Sequence, residues 1–323
     1  MPKANKSERV PKPQVRYGIG EWYGRSFPSL STEERKQLAE FQFYKGEKIS
    51  CPFQSTETRK VECKKTGGVC TLRLYMKSVP SCEVQTADGE LRAICPLRFE
   101  QAGEIYRWVG ETVLRCANPV VIREIKFLES PPAEGGESPA DVGRIDKVLV
   151  VPESKPLAWC ALEVQAVYFQ GRAMRFDFEA IRKHSEDTLP FPPVIRRPDD
   201  RSSGPKRLMP QLQIKVPSLR RWGKKMAVVV DRGFFNAMGK MRNVRHISNC
   251  DVAWFVVKFE ESGGSYRIAP DGVEYTTLED SVEGSRQAYR LVLRSSKSAS
   301  CPSSAGLRAH PRSRPTSNSF MIA

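Results

Sequence analysis

Histidine is almost absent: only His184, His246 and His310 occur in 323 residues. Hydrolysis by a serine or cysteine nucleophile usually leans on an imidazole base. These three fall in a short surface helix, a basic turn and a polar tail, so that chemistry is set aside. No run approaches the ~18 consecutive apolar residues of a membrane span. The basic stretch 1–16 is not followed by the apolar core of a secretion signal, and the expected location is the cytoplasm. No Cys-x-x-Cys pair exists although there are nine cysteines. Without an export signal these are not expected to form a disulfide framework. Acidic residues are scarce relative to basic ones, 37 against 52, and the net charge is +15. Such a surplus points to nucleic acid, because lysine and arginine replace counterions condensed on phosphates. Solubility or an anionic membrane surface is the blander explanation. The charge is localised: residues 196–245 hold fourteen Lys or Arg and three Asp, or +11.

Apolar residues make up 40% of the chain, enough for a buried core. Ser31 with Glu34 spells a capping box, and a helix should run through Leu38 and Phe41 and close near Gly46. Glu100–Leu114 spaces Ile105, Trp108, Val109 and Val113 along one helical face. Strands are expected at Val120–Leu128, Lys147–Val151, Trp159–Tyr168, Met226–Val230 and Val252–Phe259, with a short helix over Phe178–His184. Arg196–Lys206 reads as an exposed loop, as does Pro131–Ala140. Ser295–Ala323, with nine serines and no acidic residue, reads as a disordered tail. The domains so drawn are a basic arm and helix (1–46), a cysteine region (47–100), an α/β core (101–294) and the tail (295–323).

Four cysteines, Cys51, Cys63, Cys70 and Cys95, are separated by intervals of twelve, seven and twenty-five positions. Prolines follow Cys51 and Cys95, and Gly67 and Gly68 stand just before Cys70. Four thiolates suit tetrahedral zinc or iron. Buried free thiols are the alternative, and Cys82, inside the same span, could replace one ligand.

A second constellation is acidic. Asp146 heads the strand ending at Val151. Glu163 and Gln165, with one residue between them, share a face of the next strand. An acid in so apolar a run costs free energy unless paired or metal-bound. An Asp followed by Glu-x-Gln has the outline of the Asp…(Asp/Glu)-x-Lys nuclease core, with Gln in the lysine place. Two carboxylates on adjacent strands can hold Mg2+; an amphipathic strand with a solvated face is the plainer alternative. Asp141 or Glu153 could stand in for Asp146. For DNA contact the candidates are one arm of Arg196, Arg197, Arg201, Lys206 and Arg207 and a second of Arg220, Arg221, Lys224 and Lys225.

In order along the chain these features resemble the NotI-type restriction endonucleases. The stretches carrying the resemblance are Glu21–Pro28, Cys51-Pro52-Phe53, Cys63, Gly68-Val69-Cys70, Cys95-Pro96, Asp146, Leu162–Gln165, Phe169-Gln170-Gly171 and Ala253–Glu260. The resemblance implies a PD-(D/E)XK-type α/β nuclease core, a mixed sheet flanked by helices, with a small N-terminal four-cysteine metal-binding domain. It also implies Asp146, Glu163 and Gln165 as the active site with Mg2+, and Cys51, Cys63, Cys70 and Cys95 as ligands of a structural metal, iron by the family's habit. The expected partner is double-stranded DNA, cut by a homodimer, with no membrane. A zinc-ribbon DNA-binding protein without activity, or a repair or mobile-element nuclease on the same core, are the competing readings.

Overall fold

A computed structural model describes residues 12–43, 49–79, 81–129 and 141–286, and side chains except those of 128, 129 and 141–143. Its frame is a mixed sheet of eleven strands. The centre is parallel: β8 (Ala158–Val164), β11 (Met226–Asp231) and β12 (Val252–Ser262) run side by side. Every residue of β11 is buried, as expected of a strand covered on both faces. Antiparallel strands extend the sheet both ways. Beyond β8 lie β7 (Asp141–Val151) and β6 (Val120–Glu129). Beyond β12 lies β13 (Ser265–Thr276), then the N-terminal strands β2 (Arg25–Ser26), β1 (Gln14–Trp22), β3 (Val69–Lys77) and β4 (Val84–Thr86), with β5 (Arg92–Ala93) also on β3. A two-stranded ribbon joins β9 (Phe169–Gln170) to β10 (Arg197–Pro198).

The alternation of side chains along the central strands makes two apolar layers. Val148, Ala161, Val228 and Trp254 face helix α5 (Met209–Arg221), which contributes Leu212, Val216 and Leu219. Leu149, Leu162, Val229 and Phe255 face the other way, onto Ile105 and Val109 of α2 (Glu104–Val109). Each such side chain, fully buried, contributes roughly 1.5–3 kcal/mol by removal from water. A third cluster, around Trp22, Phe27, Tyr75 and Phe178, joins the N-terminal strands to α1 (Thr32–Phe41) and α3 (Arg175–Lys183).

The capping box is formed: the Ser31 side chain accepts from the Glu34 amide, and the Glu34 carboxylate accepts from the Ser31 amide. The Arg25 guanidinium and these Ser31 bonds hold the Glu34 carboxyl down at about 2. Helix α1 ends at Phe41, and the expected close near Gly46 lies outside the described residues. The five expected strands and the helix near Phe178 are present, but the strand expected over Trp159–Tyr168 stops at Val164, one residue short of Gln165. Three expectations change. Glu100–Leu114 is not one helix, because left-handed backbone at Ala102 and Gly103 breaks it before α2. Residues 14–16 are not a free arm but the start of β1, paired with β3. Arg196–Lys206 is not a loop throughout: α4 (Asp200–Ser203) leads through a wider π turn at Gly204–Leu208 into α5. Segments 1–11 and 131–140 and the tail 295–323 lie outside the described residues.

The cysteine region is knitted into the rest. Arg98, just after Cys95, donates to buried Glu21 at 2.7 Å and to the Tyr266 carbonyl on β13. Asp231, at the end of β11, accepts from the Ala93 amide and from Arg92. The sheet itself passes from β13 to β2 at Ser265 and Arg25.

Candidate active site

Strands β7 and β8 bring the two expected carboxylates together. Their register pairs Lys147 with Leu162, which sets Asp146 and Glu163 side by side at the next step. The Asp146 amide donates to Glu163 Oε1 at 3.3 Å. Asp146 is exposed and Glu163 is buried, 3% accessible. Burial first, and the Asp146 charge second, push the Glu163 carboxyl up to about 7, against the opposing pull of Lys215. Glu153 sits past the far end of β7, five residues and more along β8 from Glu163, roughly 17 Å. The Asp141 side chain lies outside the described residues.

The raised Glu163 value has a consequence for stability. Folded protein keeps this proton up to about pH 7, whereas the unfolded chain releases it near 4.5. Raising the pH across that window therefore favours unfolding, with a slope of at most ~1.4 kcal/mol per unit from this one group. In metal-free protein, Glu163→Gln should flatten the fall in stability between pH 4.5 and 7. Denaturant titrations at intervals across that range check it. Parallel curves for the two proteins would mean that Glu163 titrates normally.

Gln165 follows the last residue of β8, Val164, and donates to the Ala166 carbonyl at 2.6 Å. It lines a cleft of about 870 Å³ with Lys65, Arg172, Arg196, Lys206 and Arg207, and no acidic side chain takes part in the lining. A one-sign cleft of this kind concentrates the field on an anionic strand.

Lys215 was not among the expected residues. It lies on α5 between Leu212 and Val216, on the stripe that faces the sheet, and is 4% accessible. Its Nζ donates to Glu163 Oε1 at 2.5 Å and to Gln211 Oε1 at 3.0 Å. The spacing Leu208, Leu212, Lys215, Val216, Leu219 is a helical stripe interrupted by one cation. Pro210 and Pro217 obscure it, since proline argues against a helix interior.

The expected basic arms divide. Lys206 and Arg207 are exposed at the cleft, with Arg207 stacked on Tyr168 at 3.5 Å. Arg197 is exposed nearby, and Arg201 is exposed at the start of α4. Arg196 is instead buried and paired with Asp177, one bond being 2.9 Å, so it braces α3. The second arm lies on and beyond the last turn of α5, past Lys215. Arg220 binds Asp251 and Glu279, Lys224 donates to the Leu157 carbonyl, and Lys225 to the carbonyls of Ser248 and Cys250. Arg221 is exposed. Replacing Arg172, Lys206 and Arg207 together by alanine should lower the slope of log affinity against log salt by about 2–3, near 0.9 per lost phosphate contact. Replacing Arg220, Arg221, Lys224 and Lys225 should change that slope by less than about 1. Fluorescence anisotropy at several salt concentrations separates the two sets, and the reverse ranking would place DNA at the far end of α5.

The four expected cysteines converge through backbone pairing. Cys51 and Cys63 lie diagonally across a small ribbon in which Ser50 pairs with Glu62, closed by Cys51 N to Val61 O and Cys63 N to Ile49 O. The Cys95 amide donates to the Cys70 carbonyl. Burial chiefly raises the thiols of Cys63, Cys70 and Cys95, and the neighbouring cysteines add to each. All are free thiols, as is Cys82, which is exposed. Among the described residues no three His, Cys, Asp or Glu side chains are grouped to hold a metal ion as they stand. The acidic pair needs no third ligand, because Mg2+ commonly takes one or two carboxylates and keeps water. His184 is spent on Thr188, His246 is exposed, and His310 lies outside the described residues.

A large mixed sheet flanked by helices is consistent with a nuclease. A family model described as Restriction endonuclease NotI matches residues 34–268. The chain belongs to the NotI restriction endonuclease family. That membership implies sequence-specific cleavage of DNA and gives no support to a DNA-binding protein without activity. The matched span includes every candidate from Cys51 to Lys225. No curated protein matches the chain. Among the described residues, no helix is long and apolar enough to cross a membrane.

Proposed function

We propose that this chain is a Mg2+-dependent type II site-specific deoxyribonuclease built on a PD-(D/E)XK-type core. The observation that carries this reading is the buried Glu163 carboxylate set against Asp146, two residues before Gln165, which lines the basic cleft. Two acids forced together, one of them desolvated, are relieved by a divalent cation. Asp146 and Glu163 would hold it through oxygen, the donor that Mg2+ prefers. When bound, the ion polarises the phosphate and lowers the pKa of its water. Gln165 orients that water from the cleft side but, being an amide, takes no proton. Lys206 and Arg207 hold the DNA backbone, and sequence readout comes from groups around the cleft.

The cysteines Cys51, Cys63, Cys70 and Cys95 are proposed to hold one structural iron or zinc ion, on the support of their backbone convergence. A homodimer is proposed because cutting both strands of a palindrome calls for two copies related by a two-fold axis. The reading is tested by incubating purified chain with genomic DNA, with and without Mg2+, and sequencing the fragment ends. Expected are discrete fragments sharing one terminal sequence, only with the cation. Smeared or randomly nicked DNA would replace this reading with a nuclease lacking a fixed target, and intact DNA would end it.

A further inference from the structure

The cation this active site requires is not on the strand. In the nuclease pattern the residue two places after the acid is lysine, and here it is Gln165, which is neutral and whose Nε2 is engaged by the Ala166 carbonyl. Lys215 approaches the same carboxylate from the covering helix, at 2.5 Å. Gln211 fixes it from one turn back, and Gln211 lines the cleft with Gln165, so the two positions border the same space. A lysine buried to this degree costs more than an apolar residue would. Leu212, Val216 and Leu219 show what the same stripe uses when only packing is at stake.

We propose that Lys215 is a positioning residue for cleavage. It fixes the Glu163 carboxylate toward Asp146 and supplies the positive charge that a lysine at position 165 would supply, delivered from helix rather than strand. This rests on the reading of Glu163 as a metal-holding carboxylate.

Three measurements test it on the full chain: cleavage kinetics, DNA binding without divalent metal, and thermal melting. Lys215→Met should fold and bind DNA within about 3-fold of wild type, because Lys215 is buried away from phosphate. Its kcat should fall by about 100-fold or more with KM little changed, the mark of an interaction made in the reaction rather than in binding. Adding Gln165→Lys to Lys215→Met should recover about 10-fold or more of the lost kcat. If Lys215→Met fails to fold, Lys215→Gln, which keeps a donor to Glu163 without the charge, takes its place. A kcat within about 3-fold of wild type overturns the proposal. So does a loss of DNA affinity that accounts for the whole effect, or a second-site lysine that recovers nothing. Glu163→Ala run alongside separates the failures. If it cleaves, the reading of the site itself has failed; if it is dead while Lys215→Met cleaves, only the role of Lys215 has.

Discussion

Glu163→Ala is expected to abolish DNA cleavage while leaving the protein folded and able to bind DNA. Glu163 is the buried member of the acidic pair, and its Oε1 is the point where strand β7, strand β8 and helix α5 meet, through the Asp146 amide and Lys215 Nζ. Removing it takes away the more deeply fixed of two proposed metal ligands. Loss of metal-held chemistry typically costs many orders of magnitude in rate, beyond the ~10²–10⁴ of a general acid or base. Binding without metal should hold or tighten, because the lost charge repelled phosphate. Alanine also leaves Lys215 buried without its acid, a cost on the order of 3–5 kcal/mol. Glu163→Gln, which keeps an acceptor for Lys215, is therefore the paired variant. Asp146→Ala should lose cleavage as well, with little effect on folding because that side chain is exposed. Gel cleavage assays and anisotropy on the three proteins give the comparison. Wild-type cutting by Glu163→Ala would show that this strand carries no metal.

Cys70→Ala should have the largest effect on stability. Cys70 is buried, and its carbonyl accepts from the amides of Ile94 and Cys95. If the four thiols hold one ion, part of the folding free energy is binding free energy, on the order of 10 kcal/mol for isolated structural sites. The segment here also has the Arg98–Glu21 pair and the β3 contacts to hold it, so a loss of about 4–5 kcal/mol is expected, above the range of ordinary substitutions. Cys51→Ala should behave alike, and Cys82→Ala, at an exposed position, should stay within about 0.5 kcal/mol of wild type. Elemental analysis should find about one iron or zinc per wild-type chain and none in Cys51→Ala or Cys70→Ala. DNA affinity should fall too, because Lys65, two residues after Cys63, reaches the Ile94 carbonyl beside Cys95 and lines the cleft. Metal-free wild type together with a loss of only ~1–2 kcal/mol in Cys70→Ala would mark the cysteines as buried thiols.

Both predictions rest on groups far apart in sequence. Glu163 meets Lys215 across 52 residues and Arg98 meets Glu21 across 77. The parallel centre of the sheet produces the first meeting: β8 and β11 lie side by side, and the chain between them must cross over the sheet as α5. A residue on the inner stripe of that helix then has the β8 face as its nearest neighbour.

The sequence by itself determined what depends on neighbours along the chain. The Ser31–Glu34 cap and the buried strand Met226–Val230 follow from local spacing, and the periods of helix and strand fix them locally. The ordering of cysteines and acids along the chain carried the family. Tertiary structure alone decided which cations face the cleft and which are consumed. Arg196 and Arg207 look alike in sequence, yet one is spent on Asp177 and the other lies over Tyr168 at the cleft. It also decided that residues 14–16 join a sheet, since pairing depends on a partner strand more than fifty residues away. Helix α5 escaped notice because its two prolines speak locally against it, while burial of Leu212, Val216 and Leu219 outweighs that preference. With the helix unseen, Lys215 could only count as one more basic residue. Its meaning is set by the carboxylate opposite, and only the packed sheet and helix bring the two within 2.5 Å.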